Sequence, residues 1–317
     1  MIRDLRIVFM GTPDFAVATL KHILDNDYTV VGVITAPDRP AGRGRRVQQS
    51  AVKKFAQEKG LKVLQPTNLK DEDFITSLQT LQANLQVVVA FRMLPKVVWD
   101  MPEFGTFNLH ASLLPQYRGA APINWALING ENQTGVTTFF IDDKIDTGEI
   151  IAQRTTDIEE DENAGHLHDR LMNQGAVLVV ETLRQIASNK VTTTKQPQLG
   201  AEKTAYKLNK DNTRINWNTS ADVIHNLIRG LSPYPSAWTV LDNGNKEKVN
   251  LKVYDSAVIV TDHNLEPGTV LVEDKKLKIA CSNGFVILNE IQLAGKRRMP
   301  IKDVLNGFSF NSEAKMR

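Results

Sequence analysis

Apolar runs alternating with helix-spaced segments in the first half of the chain, and hairpin-punctuated strands in the last third, predict an α/β fold. It comprises an N-terminal Rossmann-like, doubly wound, mainly parallel sheet and a C-terminal OB-like β-barrel. Between the two patterns, Ser188-Asn-Lys-Val-Thr-Thr-Thr-Lys-Gln-Pro-Gln198 is polar and without periodicity, and reads as a linker. The expected division is therefore a first domain over residues 1–189, a linker over 190–207 and a second domain over 208–317.

The opening is βαβ. Leu5 to Met10 is a short apolar run, Phe15 to Asp25 has helical spacing through Val17, Leu20 and Leu24, and Thr29 to Thr35 is strand-like. The first turn, Met10-Gly-Thr-Pro-Asp14, holds one glycine and a proline where a dinucleotide site needs G-x-G-x-x-G, which counts against an NAD-dependent dehydrogenase. After the second strand, Ala36-Pro-Asp-Arg-Pro-Ala-Gly-Arg-Gly-Arg-Arg46 places Arg39, Arg43, Arg45 and Arg46 among prolines and glycines. Such a loop packs no core, and Lys53 and Lys54 extend its positive side. A solvated mobile loop fits it. So does a phosphate-contacting insertion, because guanidinium forks match phosphate oxygens.

Strands at Lys62–Leu64 and Gln86–Ala90, with a helix near Asp71–Gln79, continue the alternation. Next comes Thr106–His110, a strand that a Ser-Leu-Leu-Pro loop ends, since proline offers no ladder donor. Asn108 and His110 are two apart and share one face of it. Gly135–Ile141 reads as a further strand, with Asp142, Asp143 and Asp146 in the turn leaving it, where a carboxylate could meet His110. Singly, each of these residues could merely satisfy a loop. Together they suit acyl transfer to an amine: the amide donates to a developing oxyanion, the imidazole carries a proton near neutrality, and the carboxylate orients the ring. No serine or cysteine nucleophile is needed.

Helices at Pro122–Asn129 and Ala164–Ile186 complete the first domain. The second begins with a helix over Ser220–Gly230, followed by strands at Ala237–Leu241, Val249–Val260, Thr269–Val272, Leu277–Ala280 and Phe285–Leu293, joined by Asn-Gly and Pro-Gly turns.

Composition sets the outer bounds. With 42% hydrophobic and 23% charged residues over 317 positions, the chain can build two cores and is not disordered. The start, MIRDLRIVFMG, moves straight into a strand pattern, so neither a signal peptide nor a membrane span is expected and the protein reads as cytoplasmic. The lone Cys281 lies in an alternating run and reads as a core thiol, and the six histidines show no ligand spacing, so no metal is expected. Residues 1–189 carry 19 basic against 23 acidic residues, a net of −4, while residues 190–317 carry 19 against 13, a net of +6. Lys275-Lys276 and Lys296-Arg297-Arg298 add basic clusters to the second domain, as a backbone-tracking nucleic-acid surface or ordinary solvated lysines would.

The wording of several stretches carries a resemblance. Asn108-Leu-His110-Ala-Ser112-Leu-Leu-Pro115, Tyr117-Arg-Gly-Ala-Ala-Pro-Ile123 and Asp146-Thr-Gly148 resemble the folate-dependent formyltransferases, as does GTPDF at residues 11–15. PDRPAGRG at 37–44, with Ile215-Asn-Trp217 through Arg229-Gly-Leu-Ser-Pro233, is similar to their transfer-RNA-specific members. The resemblance implies that Asn108, His110 and Asp146 form the catalytic triad and that Ser112, Leu113, Leu114 and Pro115 form the tetrahydrofolate-binding loop. It also implies that Arg39, Arg43, Arg45 and Arg46 meet the acceptor stem. The donor would be 10-formyltetrahydrofolate, and the acceptor methionyl-initiator transfer RNA, giving formylmethionyl-tRNA for translation initiation. A monomer is expected. Many relatives read aromatic-glycine where Phe91 here runs straight into Arg92, so the pterin-pocket wall is expected to differ. Two other readings stay open: a formyltransferase acting on an amino sugar nucleotide, and a non-catalytic RNA-binding protein on the same scaffold.

Overall fold

The computed structural model describes residues 2–41, 46–197, 200–244 and 248–317, leaving out the side chains of Ala41 and Arg46. In chain order its elements begin β1 (Arg6–Gly11), α1 (Asp14–Asp25), β2 (Thr29–Ile34), β3 (Arg39–Ala41), β4 (Arg46–Gln48), α2 (Ala51–Glu58) and β5 (Val63–Leu64). They continue α3 (Glu72–Gln79), β6 (Leu85–Val89), α4 (Lys96–Trp99), β7 (Thr106–His110), β8 (Arg118–Gly119), α5 (Pro122–Ile128), β9 (Gln133–Phe140), β10 (Ile150–Asp157) and α6 (Ala164–Ala187). The chain divides into two compact units, Met1–Pro122 with Thr134–Thr156 and His168–Thr204, and Ile123–Gln133 with Asp157–Leu167 and Ala205–Arg317.

A seven-stranded sheet in the order β10-β9-β7-β6-β1-β2-β5 organises the first unit. Strands β5, β2, β1, β6 and β7 run parallel, whereas β9 is antiparallel to β7. The central strands are apolar almost throughout because helices cover both faces of a parallel sheet. Accordingly Ile7, Val8, Phe9 and Met10 of β1 are fully buried, as is every residue of β6. On one face Val8, Met10, Ile34 and Val88 pack with Phe74 and Leu78 of α3 and Val98 of α4. Side-chain caps start two of the helices: Ser50 accepts from Lys53 N at 3.0 Å, and Asp71 accepts from Phe74 N at 3.1 Å.

Strand β10 has no counterpart among the expected elements. It lies at the sheet edge, and after Ile150 and Ile151 its residues are mostly polar, with Gln153, Thr155 and Asp157 exposed, so no strong apolar run marks it.

After β11 (Thr204–Ala205), the second unit continues with α7 (Ala221–Leu231), β12 (Ala237–Asp242), β13 (Lys248–Val260), β14 (Val270–Glu273), β15 (Lys276–Cys281) and β16 (Gly284–Leu293). Then follow β17 (Met299–Pro300), α8 (Ile301–Leu305) and β18 (Lys315–Met316). Its sheet, in the order β14-β15-β16-β13-β12-β18, is an antiparallel half-barrel closed over α7 and α8. The long β13 changes register against β16 between Val253 and Ser256, the irregularity that lets one strand bend around a small core. The β14–β15 turn uses Asp274 and Lys275 at φ 50° and 61°, the left-handed pair of a tight hairpin, without a glycine to signal it.

Cys281 is fully buried in this half-barrel, its Sγ 3.2 Å from the Gly284 carbonyl oxygen, and burial pushes the thiol above its usual range. It should resist aromatic disulfide reagents in the native protein and react once urea unfolds the barrel. Rapid labelling of the folded protein would contradict this packing. No described helix is long and apolar enough to cross a membrane.

Candidate active site

Strand β7 presents Asn108 and His110 two residues apart on one face, as the period of a strand requires. His110 is 7% exposed, and its Nε2 lies 2.8 Å from the Tyr117 carbonyl oxygen. A carbonyl can only accept, so Nε2 carries the hydrogen and donates it. In the neutral ring the lone pair is then on Nδ1. Asp146 Oδ2 stands 3.8 Å from that Nδ1, beyond hydrogen-bond reach but close enough to face the charge of an imidazolium. The Asp146 carboxylate is itself held, Oδ2 accepting from Gly119 N at 2.9 Å. Asn108 is half-buried, and its amide takes no hydrogen bond among the described residues.

The route by which Asp146 arrives differs from a carboxylate entering at a matched strand end. Because β9 is antiparallel to β7, its last residue, Phe140, pairs with Phe107, and Ile141 N donates to Thr106 O at 2.8 Å. The acidic turn thus departs beside the start of β7 and must run back along it, about 13 Å over four residues, to reach His110. Within the turn Asp142 binds its neighbours, Oδ1 accepting from Thr147 Oγ1 at 2.7 Å and from Lys144 N at 3.0 Å, while Asp143 is exposed. Only Asp146 of the three meets the ring. It does so at φ 55°, a left-handed conformation that aspartate adopts more readily than most residues.

The Ser112–Pro115 loop is packed inward. Ser112, Leu114 and Pro115 are buried and Leu113 is half-buried. Ser112 Oγ donates to Gln116 O at 2.7 Å. Thr137, the β9 residue opposite His110, ties the rest: its hydroxyl donates to Ser112 O at 2.6 Å and accepts from Leu114 N at 3.2 Å and Gln153 Nε2 at 2.9 Å. A cleft of about 450 Å³ opens beside this loop, lined by Pro115, Arg118, Gly200, Glu202, Lys203 and Thr204. Arg92 turns to the neighbouring backbone, its guanidinium donating to Pro66 O and, at 2.8 Å, to Thr67 O, while Phe91 packs against the apolar cluster of Val8, Met10 and Ile34.

Of the arginine-rich stretch, Arg39 is exposed on the two-stranded β3–β4 hairpin. Arg43 and Arg45 lie outside the described residues, as does the side chain of Arg46. Lys53 does not extend the positive surface. Its Nζ is 2.6 Å from Asp38 Oδ2, and this ammonium holds the Asp38 carboxyl below the usual range.

The site also uses groups to which sequence reading gave no role: the Tyr117 carbonyl, the Gly119 N–H and the side chain of Arg118, all inside the resembling stretch Tyr117–Ile123, and the side chain of Gln196. A backbone group has no signature of its own, and one glutamine in a polar stretch looks like any other.

Comparison with known proteins matches both halves of the chain. The family model described as formyl transferase covers residues 5–183, and the one described as formyl transferase, C-terminal domain, covers residues 207–309. A methionyl-tRNA formyltransferase of Flavobacterium johnsoniae is 58% identical over 315 residues, 99% of this chain and 100% of the relative. One from Bacteroides fragilis is 49% identical over 318 residues, 99% and 98% of the two chains. Among solved structures, an N-formyltransferase from Helicobacter canadensis in complex with folinic acid and dTDP-3-aminofucose superposes with TM-score 0.64 at 23% identity, covering 90% of this chain and 98% of that one, a likeness of fold. With both models matched and relatives so similar from end to end, the chain belongs to the formyl transferase family and, within it, to the methionyl-tRNA formyltransferases.

Proposed function

We propose that the protein transfers the formyl group of 10-formyltetrahydrofolate to the α-amino group of methionyl-initiator transfer RNA. The observation that carries the chemistry is Asp146 facing His110 Nδ1, with Asn108 two residues away on the same strand face. The bound donor would supply an electrophilic formyl carbon, whose bond to the donor nitrogen breaks once the new C–N bond has formed. The chain's own groups handle the charge and the proton. The Asn108 amide donates to the oxyanion that develops on the formyl oxygen, His110 takes the amine proton on Nδ1 and passes it to the departing nitrogen, and Asp146 faces the transient imidazolium. The Asn108 amide, which takes no hydrogen bond among the described residues, and the partly exposed Asp146 carboxylate fit a substrate seated there.

The same reading assigns Ser112, Leu113, Leu114 and Pro115 to the donor site, where Leu113, half-exposed, is the side chain best placed to touch it. Residues 1–189 would be the catalytic domain and residues 208–317 the transfer-RNA-binding domain, in line with the excess of basic residues there. Arg39, Arg43, Arg45 and Arg46 would contact acceptor-stem phosphates. Replacing Arg43 with alanine should weaken use of transfer RNA, leave donor binding unchanged, and reduce the slope of log affinity against log salt by about one. A salt-independent affinity would exclude phosphate contacts. The deciding assay incubates the purified protein with 10-formyltetrahydrofolate and either methionyl-initiator transfer RNA or an amino sugar nucleotide. Formylmethionine in the first reaction alone supports the proposal; formylation of the sugar alone defeats it.

A further inference from the structure

The polar stretch after α6 is bound to the catalytic turn, and we infer that Gln196 within it is a positioning residue, its amide clamping the acidic turn to the loop that orients His110. The inference rests on the function proposed above. Both hydrogens of Gln196 Nε2 are used, one toward Asp146 O at 2.9 Å and one toward Gly148 O at 2.8 Å. Its Oε1 accepts from Arg118 Nε at 3.1 Å and Nη2 at 2.6 Å. Arg118 Nε lies also 3.0 Å from Asp146 O. The primary amide is therefore saturated, with two donors and two lone pairs engaged. No other side chain of that reach offers both: glutamate lacks the donors, leucine lacks everything, and asparagine falls one methylene short.

What the amide joins matters more than how many bonds it makes. Arg118 sits between the two backbone groups that hold the site, the Tyr117 carbonyl on His110 Nε2 and the Gly119 N–H on Asp146 Oδ2. Asp146 and Tyr117 are both left-handed, at φ 55° and 60°, conformations that persist only where the surroundings over-determine them. The stretch bearing Gln196 is anchored on each side. Thr194 and Ile150 exchange backbone hydrogen bonds of 2.8 and 2.9 Å, and Lys203 takes the Tyr117 N–H on its carbonyl at 2.6 Å while donating its own N–H to Gln116 Oε1 at 2.7 Å. Gln196 is thus a fixed point against which the two halves of the site are aligned.

The test uses Gln196→Leu, which keeps the bulk and removes every hydrogen bond, and Gln196→Glu, which keeps the acceptors and guards against a packing defect. Two measurements are made on the full chain. In steady-state assays both variants should lose about tenfold or more in kcat, with KM for the formyl donor unchanged, since a displacement near 1 Å is enough to cost this much. In ring-nitrogen NMR of histidine-labelled protein without substrate, wild-type His110 should show the Nε2–H tautomer alone, and Gln196→Leu a mixture of tautomers. Arg118→Leu cuts the same clamp from the other side, so the double variant should be no slower than the worse single one. Unchanged tautomers in Gln196→Leu overturn the inference even if kcat falls with stability, and so does wild-type kcat. Should the wild-type protein formylate no transfer RNA, the proposed function fails, while the ring-nitrogen spectra still decide whether Gln196 aligns His110.

Discussion

Replacing His110 with alanine should lower turnover by roughly 10²–10⁴-fold, the range typical of removing a general acid–base group. The magnitude follows from what the ring does alone. Its Nε2–H is committed to the Tyr117 carbonyl, and its Nδ1, beside Asp146, is the nitrogen left to take the amine proton. Asn108→Ala should cost about 10²–10³-fold, equivalent to one oxyanion donor. Both losses should fall on kcat and on kcat/KM alike, because both groups act on charge that exists only in the transition state. Donor affinity, measured by calorimetry with a folate analogue, should barely move. Loss of His110 also removes its hydrogen bond to the Tyr117 carbonyl, a stability cost of about 0.5–1.5 kcal/mol that urea unfolding would report separately. Near-normal turnover by either variant would remove that residue from the mechanism.

Gly148→Ala should be damaging for a steric reason. An added Cβ would stand 1.7 Å from the Phe140 carbonyl oxygen and 2.8 Å from its carbon. These are backbone atoms at the end of β9, fixed by the Phe140 N to Glu149 O hydrogen bond of 3.0 Å, so no side chain can swing aside to make room. The turn itself must open. Overpacking commonly costs about 1–3 kcal/mol, and a clash with backbone belongs at the upper end. Asp146 is two residues away and shares the Gln196 clamp with Gly148, so turnover should fall along with stability. Gly307→Ala is the control, since nothing lies within 4 Å of its added Cβ. If Gly148→Ala unfolds at the wild-type urea midpoint and turns over normally, the tight return of the acidic turn onto β9 is wrong.

The alternation of apolar runs with helical spacing was enough to read the parallel core. Strand β6 and the buried stretch of β1 are sequences with few other places to go than the middle of a covered sheet. The strands that escaped reading are those with little apolar demand. Edge strand β10 is mostly polar after its first two residues, and the short β17 and β18 pair with β16 and β12 already in place. Local spacing also misjudged Lys53, whose charge looks free in sequence and is matched by Asp38 in space.

From residue order alone came the plan of a mainly parallel sheet followed by an antiparallel barrel, the placing of Asn108 and His110 on one face, and the identity of the acidic turn. Each depends on backbone period or on wording within a few residues, and such relations survive without knowing where the rest of the chain goes. Tertiary structure alone decided that the turn doubles back over an antiparallel neighbour, which imidazole nitrogen stays free, and that Gln196, some 50 residues beyond Asp146, locks them together. Those are through-space relations: which carbonyl meets a ring, and which amide bridges two loops, is set by segments that only folding brings within 3 Å of one another.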